Sequence, residues 1–245
     1  MHGYNVVKGS FIMRGMAVIV SMGVLMLAIH AHAEDFGWEV LFDGSDVGQW
    51  RGFNQEEFPH GGWEIVDGQL RAIPDGDAVD IITRDMYGDF ELYLEWMTPP
   101  GERGNSGVFY HVTETETSVT RVGPEIQILN DEDPWLEAEH SVPAPKRAAA
   151  SLFALAAPNA NKRVKPEGEY NTLRLVVENR RGQVWLNGPK VLDYDLDDEA
   201  MQERIAESRF ADLPRFGREP EGHIALQHHG DDVWFRNIWI RRIPN

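Results

Sequence analysis

The side chains of this chain that could do chemistry fall in three polar stretches. The first is Gly123-Pro124-Glu125-Ile126-Gln127-Ile128-Leu129-Asn130-Asp131, in which polar and branched apolar residues alternate. A period of two marks a half-buried strand, with Glu125 and Gln127 on one face and Ile126 and Ile128 on the other. A carboxyl and an amide sharing an open face predict the floor of a binding groove. Gly104-Asn105-Ser106-Gly107-Val108-Phe109-Tyr110-His111 reads as a turn feeding a strand, and Leu226-Gln227-His228-His229-Gly230 as a strand running into a turn. Glycines permit close backbone approach, and Asn105, Gln127, Gln227 and His228 supply hydrogen-bonding groups suited to a hydroxyl-rich ligand. His111, His228 and His229 stand beside these motifs, whereas His60, His140 and His223 read as structural histidines.

The same residues weigh against several familiar chemistries. Glycoside hydrolysis by the ordinary route needs two carboxyl groups, about 5 to 5.5 Å apart for retention or about 6.5 to 9.5 Å for inversion. Sandwich glucanases of the laminarinase type carry theirs on a strand resembling Glu-x-Asp-x-x-Glu. The corresponding string here is Glu125-Ile126-Gln127-Ile128-Leu129-Asn130, with amides in place of the other two acids. A double displacement would require another acid, such as Asp131 or Glu95, to face Glu125. No Gly-x-Ser-x-Gly elbow and no His-Glu-x-x-His zinc pattern occurs.

The elements that must position these stretches are nearly all strands. Asp67-Gly68 between Trp63-Glu64-Ile65-Val66 and Gln69-Leu70-Arg71-Ala72-Ile73 predicts a tight hairpin, because Asp-Gly readily takes positive φ. Phe90 to Trp96 alternates cleanly, sending Phe90, Leu92, Leu94 and Trp96 to a core and Glu91, Tyr93 and Glu95 outward. Residues 170–178 and 183–187 form a second hairpin, extended by the Asn187-Gly188 turn into Val191-Leu192-Asp193-Tyr194. Asp197 to Arg209 is the best helix, acidic at its start and apolar on one face. Residues 131–168 lack strand periodicity and are assigned to the groove wall, with Ala148 to Ala156 a short helix or a packed strand. More than ten short strands with glycine turns predict an all-β, two-sheet antiparallel jelly-roll sandwich with one or two short helices.

The address is written at the start. Lys8 and Arg14 precede an uncharged run from Met16 to Ile29, and Ala31-His32-Ala33 supplies the small-x-small pattern of a cleavage site. This predicts a secretory signal over residues 1–33, an exported, periplasmic or secreted domain over residues 34–245, and no stable membrane insertion. The chain has no cysteine, so stability must come from packing rather than disulfides. Its formal charge is −17, with 40 acidic against 23 basic residues. That balance argues against nucleic acid or an anionic membrane as partner and is compatible with a neutral sugar.

Five segments carry a resemblance: Gly104 to His111, Gly123 to Asn130, Tyr170 to Glu178, Val184 to Gly188, and Leu226 to Ile238. In that order, across about residues 36–242, they resemble the 3-keto-disaccharide hydrolase family. The resemblance implies a concanavalin-like sandwich acting on sugars oxidised at C3. A 3-keto group acidifies the C2 proton, so one base can remove it, the enolate can expel the C1 substituent, and water can add to the unsaturated sugar. Such a route needs a base tuned near neutrality and donors for the enolate oxygen, not a carboxylate pair. On this reading His229 is the base with His111 second, Glu125 orients an imidazole, binds hydroxyls or acts as acid, and Gln127, Asn105 and Gln227 bind substrate. A divalent metal held by Glu125 and a histidine would serve as Lewis acid on the keto oxygen. The chain departs from the family where His228 replaces a frequent Asp, and where the loop after Asn130 lacks a histidine many members show nearby. A non-catalytic carbohydrate-binding module is the competing expectation, with Trp50, Trp135 and Trp185 as candidates for an exposed aromatic row.

Overall fold

The computed structural model describes residues 37–101 and 104–244. The predicted signal and its cleavage point at Ala33 lie outside the described residues. In chain order the first strands are β1 (Glu39–Phe42), β2 (Trp50–Gly52), β3 (Trp63–Val66), β4 (Gln69–Ala72), β5 (Ile81–Thr83), β6 (Phe90–Met97) and β7 (Ser106–Val112). They are followed by β8 (Glu125–Ile128), β9 (Asn171–Glu178), β10 (Arg181–Leu186), β11 (Lys190–Asp195), the helix α1 (Glu199–Ala206), β12 (His223–Leu226) and β13 (Val233–Arg242). The larger sheet runs β11-β10-β9-β6-β13-β4-β3, with β1 also on β13, and the smaller runs β2-β5-β12-β7-β8. The strands pair antiparallel, giving the two-sheet jelly-roll sandwich expected from the strand count.

The predicted hairpins form for the predicted reasons. Asp67 and Gly68 both take positive φ, at 50° and 73°, and place Trp63 to Val66 in register with Gln69 to Ala72. One core fills the space between the sheets: Leu92, Leu94 and Trp96 of β6 meet Val108 and Tyr110 of β7 and Ile126 and Ile128 of β8, all fully buried. Each such aliphatic side chain contributes roughly 1.5 to 3 kcal/mol, which is how a chain without disulfides holds together.

Two segments differ from expectation. The helix is shorter than Asp197 to Arg209, because Asp198 caps it by accepting the Ala200 N–H at 2.8 Å and Glu207 closes it. Residues 148–156 are neither a helix nor a regular strand. Ala150 and Ala154 have φ of 60° and 65°, and the segment bonds along the free edge of β8 through Gln127 N to Ser151 O (3.0 Å) and Phe153 N to Glu125 O (2.9 Å). The edge strand that carries Glu125 is thereby covered.

Candidate active site

Ile126 and Ile128 point into the core, so Glu125 and Gln127 emerge on the opposite, open face of the smaller sheet. Strand pairing brings the other two motifs alongside: Gly107 lies opposite Gln127, and the Gln227 N–H donates to the Gly107 carbonyl at 3.0 Å. Asn105, Gln127, Glu125, Gln227 and His229 all line one cleft of ≈ 300 Å³, together with Phe109, Thr120, Gly123, Trp135, His140, Phe153, Arg209 and Phe210. The three polar stretches thus converge on a single floor.

Glu125 is the electrostatic centre of that floor. A Cβ on Gly107 would fall 2.3 Å from its Oε1, so the carboxyl lies against the backbone of β7 in space that only glycine leaves open. Burial without a counter-ion pushes its pKa up to about 8; the nearby Asp80 charge adds to the rise and Arg209 opposes it. At neutral pH this side chain is therefore a carboxylic acid, able to donate a proton as well as accept one.

Asp80, immediately before β5, is the acid that sequence reasoning missed. Burial raises its pKa to about 6, and the His228 N–H bonded to its Oδ1 at 2.9 Å opposes the rise. It stands one step beyond the Ile81–Leu226 pair, beside the strand end that leads to His229. Only the pairing of β5 with β12 could have revealed it. The acids named as possible partners of Glu125 are elsewhere: Asp131 is bridged to Lys162 at 2.6 Å, and Glu95 is bound to Arg236 and Asn237 across β6 and β13.

The amides divide their work. Gln127 commits its Nε2 to Asn105 Oδ1 (2.8 Å), Ser106 O (3.0 Å) and Ile128 O (3.1 Å), which leaves its Oε1 as the polar atom with capacity to spare. Its first effect is to brace Asn105. His229 sits on the rim, half exposed, with Nδ1 3.8 Å from Asp231 Oδ2, close enough to ion-pair once the ring is protonated. The same Asp231 oxygen accepts the Asn105 N–H at 3.2 Å, tying the rim histidine to the floor.

Two expected site residues lie off the cleft. His111 takes φ 52°, and the register between β12 and β7 shifts beside it. This bulge breaks the alternation that would have placed its ring beside Phe109. The ring instead meets Phe90 and Tyr110, its Nε2 bonds the Gly88 carbonyl at 2.8 Å, and burial lowers its pKa. His228 turns toward Trp63, ring centroids 5.6 Å apart, and its Nδ1 accepts the Gly230 N–H at 3.2 Å.

The long segment expected to form a wall does reach the cleft. His140, read as structural, lines it from the loop after Asn130; its Nδ1 accepts the Val142 N–H at 2.9 Å, so the neutral ring carries its proton on Nε2. Trp135 is in the cleft, while Trp50 is buried with its indole N–H on the Leu41 carbonyl and Trp185 lies beneath Arg174 on the larger sheet. The three do not form an exposed aromatic row. Among the described residues no three His, Asp or Glu side chains converge as ligands for a metal ion. The donors do not fit a metal held by Glu125 and a histidine.

Fold and cleft define a class: a jelly-roll carbohydrate-active enzyme whose cleft, among the described residues, is lined by a single acid, Glu125, with amides and imidazoles in place of a glycosidase carboxylate pair. Residues 37–241 match the model of the 3-keto-alpha-glucoside-1,2-lyase-like domain, and the chain belongs to that family. It is 32% identical over 236 residues to a protein of Bacteroides thetaiotaomicron named 3-keto-disaccharide hydrolase, covering 84% of this chain and 78% of that one. A crystal structure from Parabacteroides distasonis, provisionally named a glycosyl hydrolase, superposes with a TM-score of 0.77 at 26% identity, covering 87% of this chain and 97% of the other. A second from the same organism, with the same provisional name, gives 0.65 at 27% identity, covering 84% and 99%.

Proposed function

We propose that this protein is an exported enzyme that cleaves 3-keto-glycosides by elimination and hydration. The observation that carries the reading is a buried carboxyl whose pKa is about 8 in the same cleft as an exposed imidazole, with no other acid among the described residues that line the cleft. His229 removes the C2 proton, acidified by the 3-keto group, and Glu125 gives its proton to the departing C1 oxygen as the C1–O bond breaks. The product is a ketone conjugated to a C1=C2 double bond. Water then adds at C1, losing a proton to Glu125, while the exposed His229, having exchanged its proton with solvent, protonates C2. Both residues end as they began. Asn105, Gln227 and the Oε1 of Gln127 bind the sugar hydroxyls, and His140 lines the same space.

The test is to incubate the protein with a 3-keto-disaccharide and its unoxidised parent in deuterated water. The expected result is release of 3-keto-glucose carrying deuterium at C2, with the parent untouched. Cleavage of the parent, or release without deuterium at C2, would overturn the mechanism. Tight binding of sugars with no turnover of any 3-keto-glycoside would instead favour a carbohydrate-binding module.

A further inference from the structure

The cleft has a second wall whose chemistry the sugar floor does not explain. Trp135 and Phe153 lie nearly parallel, 10° between planes and 6.5 Å between centroids, and Phe210 faces the same space. Arg209, just past the end of α1, lays its guanidinium 5.7 Å from the Phe153 ring and 6.0 Å from the Phe210 ring. Several other arginines of this acidic chain pair with carboxylates, Arg51 with Glu114, Arg71 with Asp232, Arg180 with Asp197 and Arg236 with Glu95, while Arg84, Arg147 and Arg163 are held by backbone carbonyls. Among the described residues Arg209 has no carboxylate within salt-bridge distance and no hydrogen bond; two ring faces hold it. In a chain of 40 acids against 23 bases, that leaves a planar, forked donor for an anion on the wall of the cleft.

We propose that Trp135, Phe153, Phe210 and Arg209 form an aglycone subsite that selects aromatic leaving groups bearing a carboxylate. The flat rings stack on the aryl group, and the guanidinium takes its carboxylate in a bidentate pair. The inference rests on the reading of the floor as the sugar site. It adds that the natural leaving group is an aryl acid rather than a second neutral sugar.

Calorimetry with phenyl glucoside and 4-carboxyphenyl glucoside tests the subsite without turnover, because neither sugar is oxidised. The wild type should bind the carboxylate about tenfold tighter, the worth of one charge-assisted pair, and 0.5 M salt should shrink that preference through screening. Arg209→Gln, at an exposed position, should bring the two affinities together. Equal wild-type affinities, no binding of either ligand, or a preference unchanged by salt and by Arg209→Gln would overturn the proposal. So would an equal loss for both ligands in Arg209→Gln, which would put the guanidinium on the sugar. Should the variant fail to fold, the salt dependence of the wild type decides. The 3-keto forms of the same pair separate this inference from the proposed reaction: failure of the reaction abolishes turnover of both and leaves the binding preference intact.

Discussion

Two glutamates on the two sheets meet opposite fates. Glu95, on β6 of the larger sheet, is partly desolvated, which alone would raise its pKa; hydrogen bonds from Asn237 and Arg236, the Arg236 charge and the Tyr93 hydroxyl outweigh that and hold it below the ordinary range. Glu125, on β8 of the smaller sheet, has no such neighbours and is driven up to about 8. Its nearest electrostatic neighbours are another acid and the aromatic-bound Arg209. The larger sheet places Glu91 between Arg174 and Arg241, and Arg71 against Asp232, satisfying its charges across neighbouring strands. The smaller sheet leaves its acid, amide and imidazole groups with capacity for a ligand. A strand glutamate becomes chemically useful here because its partners are withheld, and stability is lost where that happens.

Glu125→Gln is the sharpest probe of that contrast. Turnover should fall by roughly 10²-fold or more, since the proton donor is gone while the shape remains. Stability should rise. Native Glu125 keeps its proton up to about pH 8 whereas the unfolded chain releases it near its ordinary value. The wild type therefore loses stability as pH rises through that window, and Gln does not. Thermal melts should show no gain for the variant near pH 4 and a gain on the order of 2 to 4 kcal/mol above pH 8. A variant destabilised at every pH would mean that Glu125 is a structural acid. His229→Ala should cost about 10²-fold in turnover, and wild-type rates in that variant would remove the rim imidazole from the reaction.

How much of this contrast is legible in the sequence depends on how local each cause is. Glu125 and Gln127 could be placed on the open face because alternation needs only neighbouring residues. Asn105, Gln227 and His229 could be gathered because each adjoins a turn at a strand end. His111 could not be placed correctly, because one residue at φ 52° reverses the face and nothing in Tyr110-His111-Val112 announces it. Asp80, Arg209, His140 and Phe153 reach the site from positions set by strand pairing, a helix end or loops, which composition does not encode. Trp135 was legible only as an aromatic candidate, without its place on the wall. The fold was easier, since turn residues and alternation repeat along the chain and errors in one segment do not spread.

Gly107→Ala tests whether the glycine keeps the Glu125 carboxyl in place. The new Cβ would sit 2.3 Å from Oε1, so the carboxyl must move, and turnover should fall about tenfold with a stability cost of about 1 to 3 kcal/mol. Unchanged kinetics would show that the carboxyl position is not critical. Asp80→Asn is gentler: Asn can still accept the His228 N–H, and only the charge facing Glu125 is removed. Without that charge the Glu125 carboxyl deprotonates at lower pH. The alkaline limb of the rate profile should then move toward acid, with activity at pH 8 down by about threefold. Arg209, His140 and His229 also face the cleft, so the same shift should appear in an Asp80→Asn/His140→Asn double variant compared with His140→Asn alone. A limb that stays in place in both comparisons would break the link between the two acids.

Glu95→Gln should have the smallest effect and completes the contrast from the other side. Glu95 lies outside the cleft, so turnover should not change. Because Arg236 and Glu95 are 41% and 14% exposed at their side chains, screening reduces the pair to a cost of about 1 kcal/mol near neutral pH. The folded-state pKa of Glu95 is lowered, so its contribution is present above the unfolded value and lost as pH falls through the folded one. Melts of wild type and Glu95→Gln should therefore converge in acid and separate toward neutrality, with the variant the less stable. Glu125→Gln separates from the wild type over a higher pH range and in the opposite direction. Two variants diverging with the same sign would mean that the sheets treat their glutamates alike, and the division between a satisfied face and a reactive one would fail.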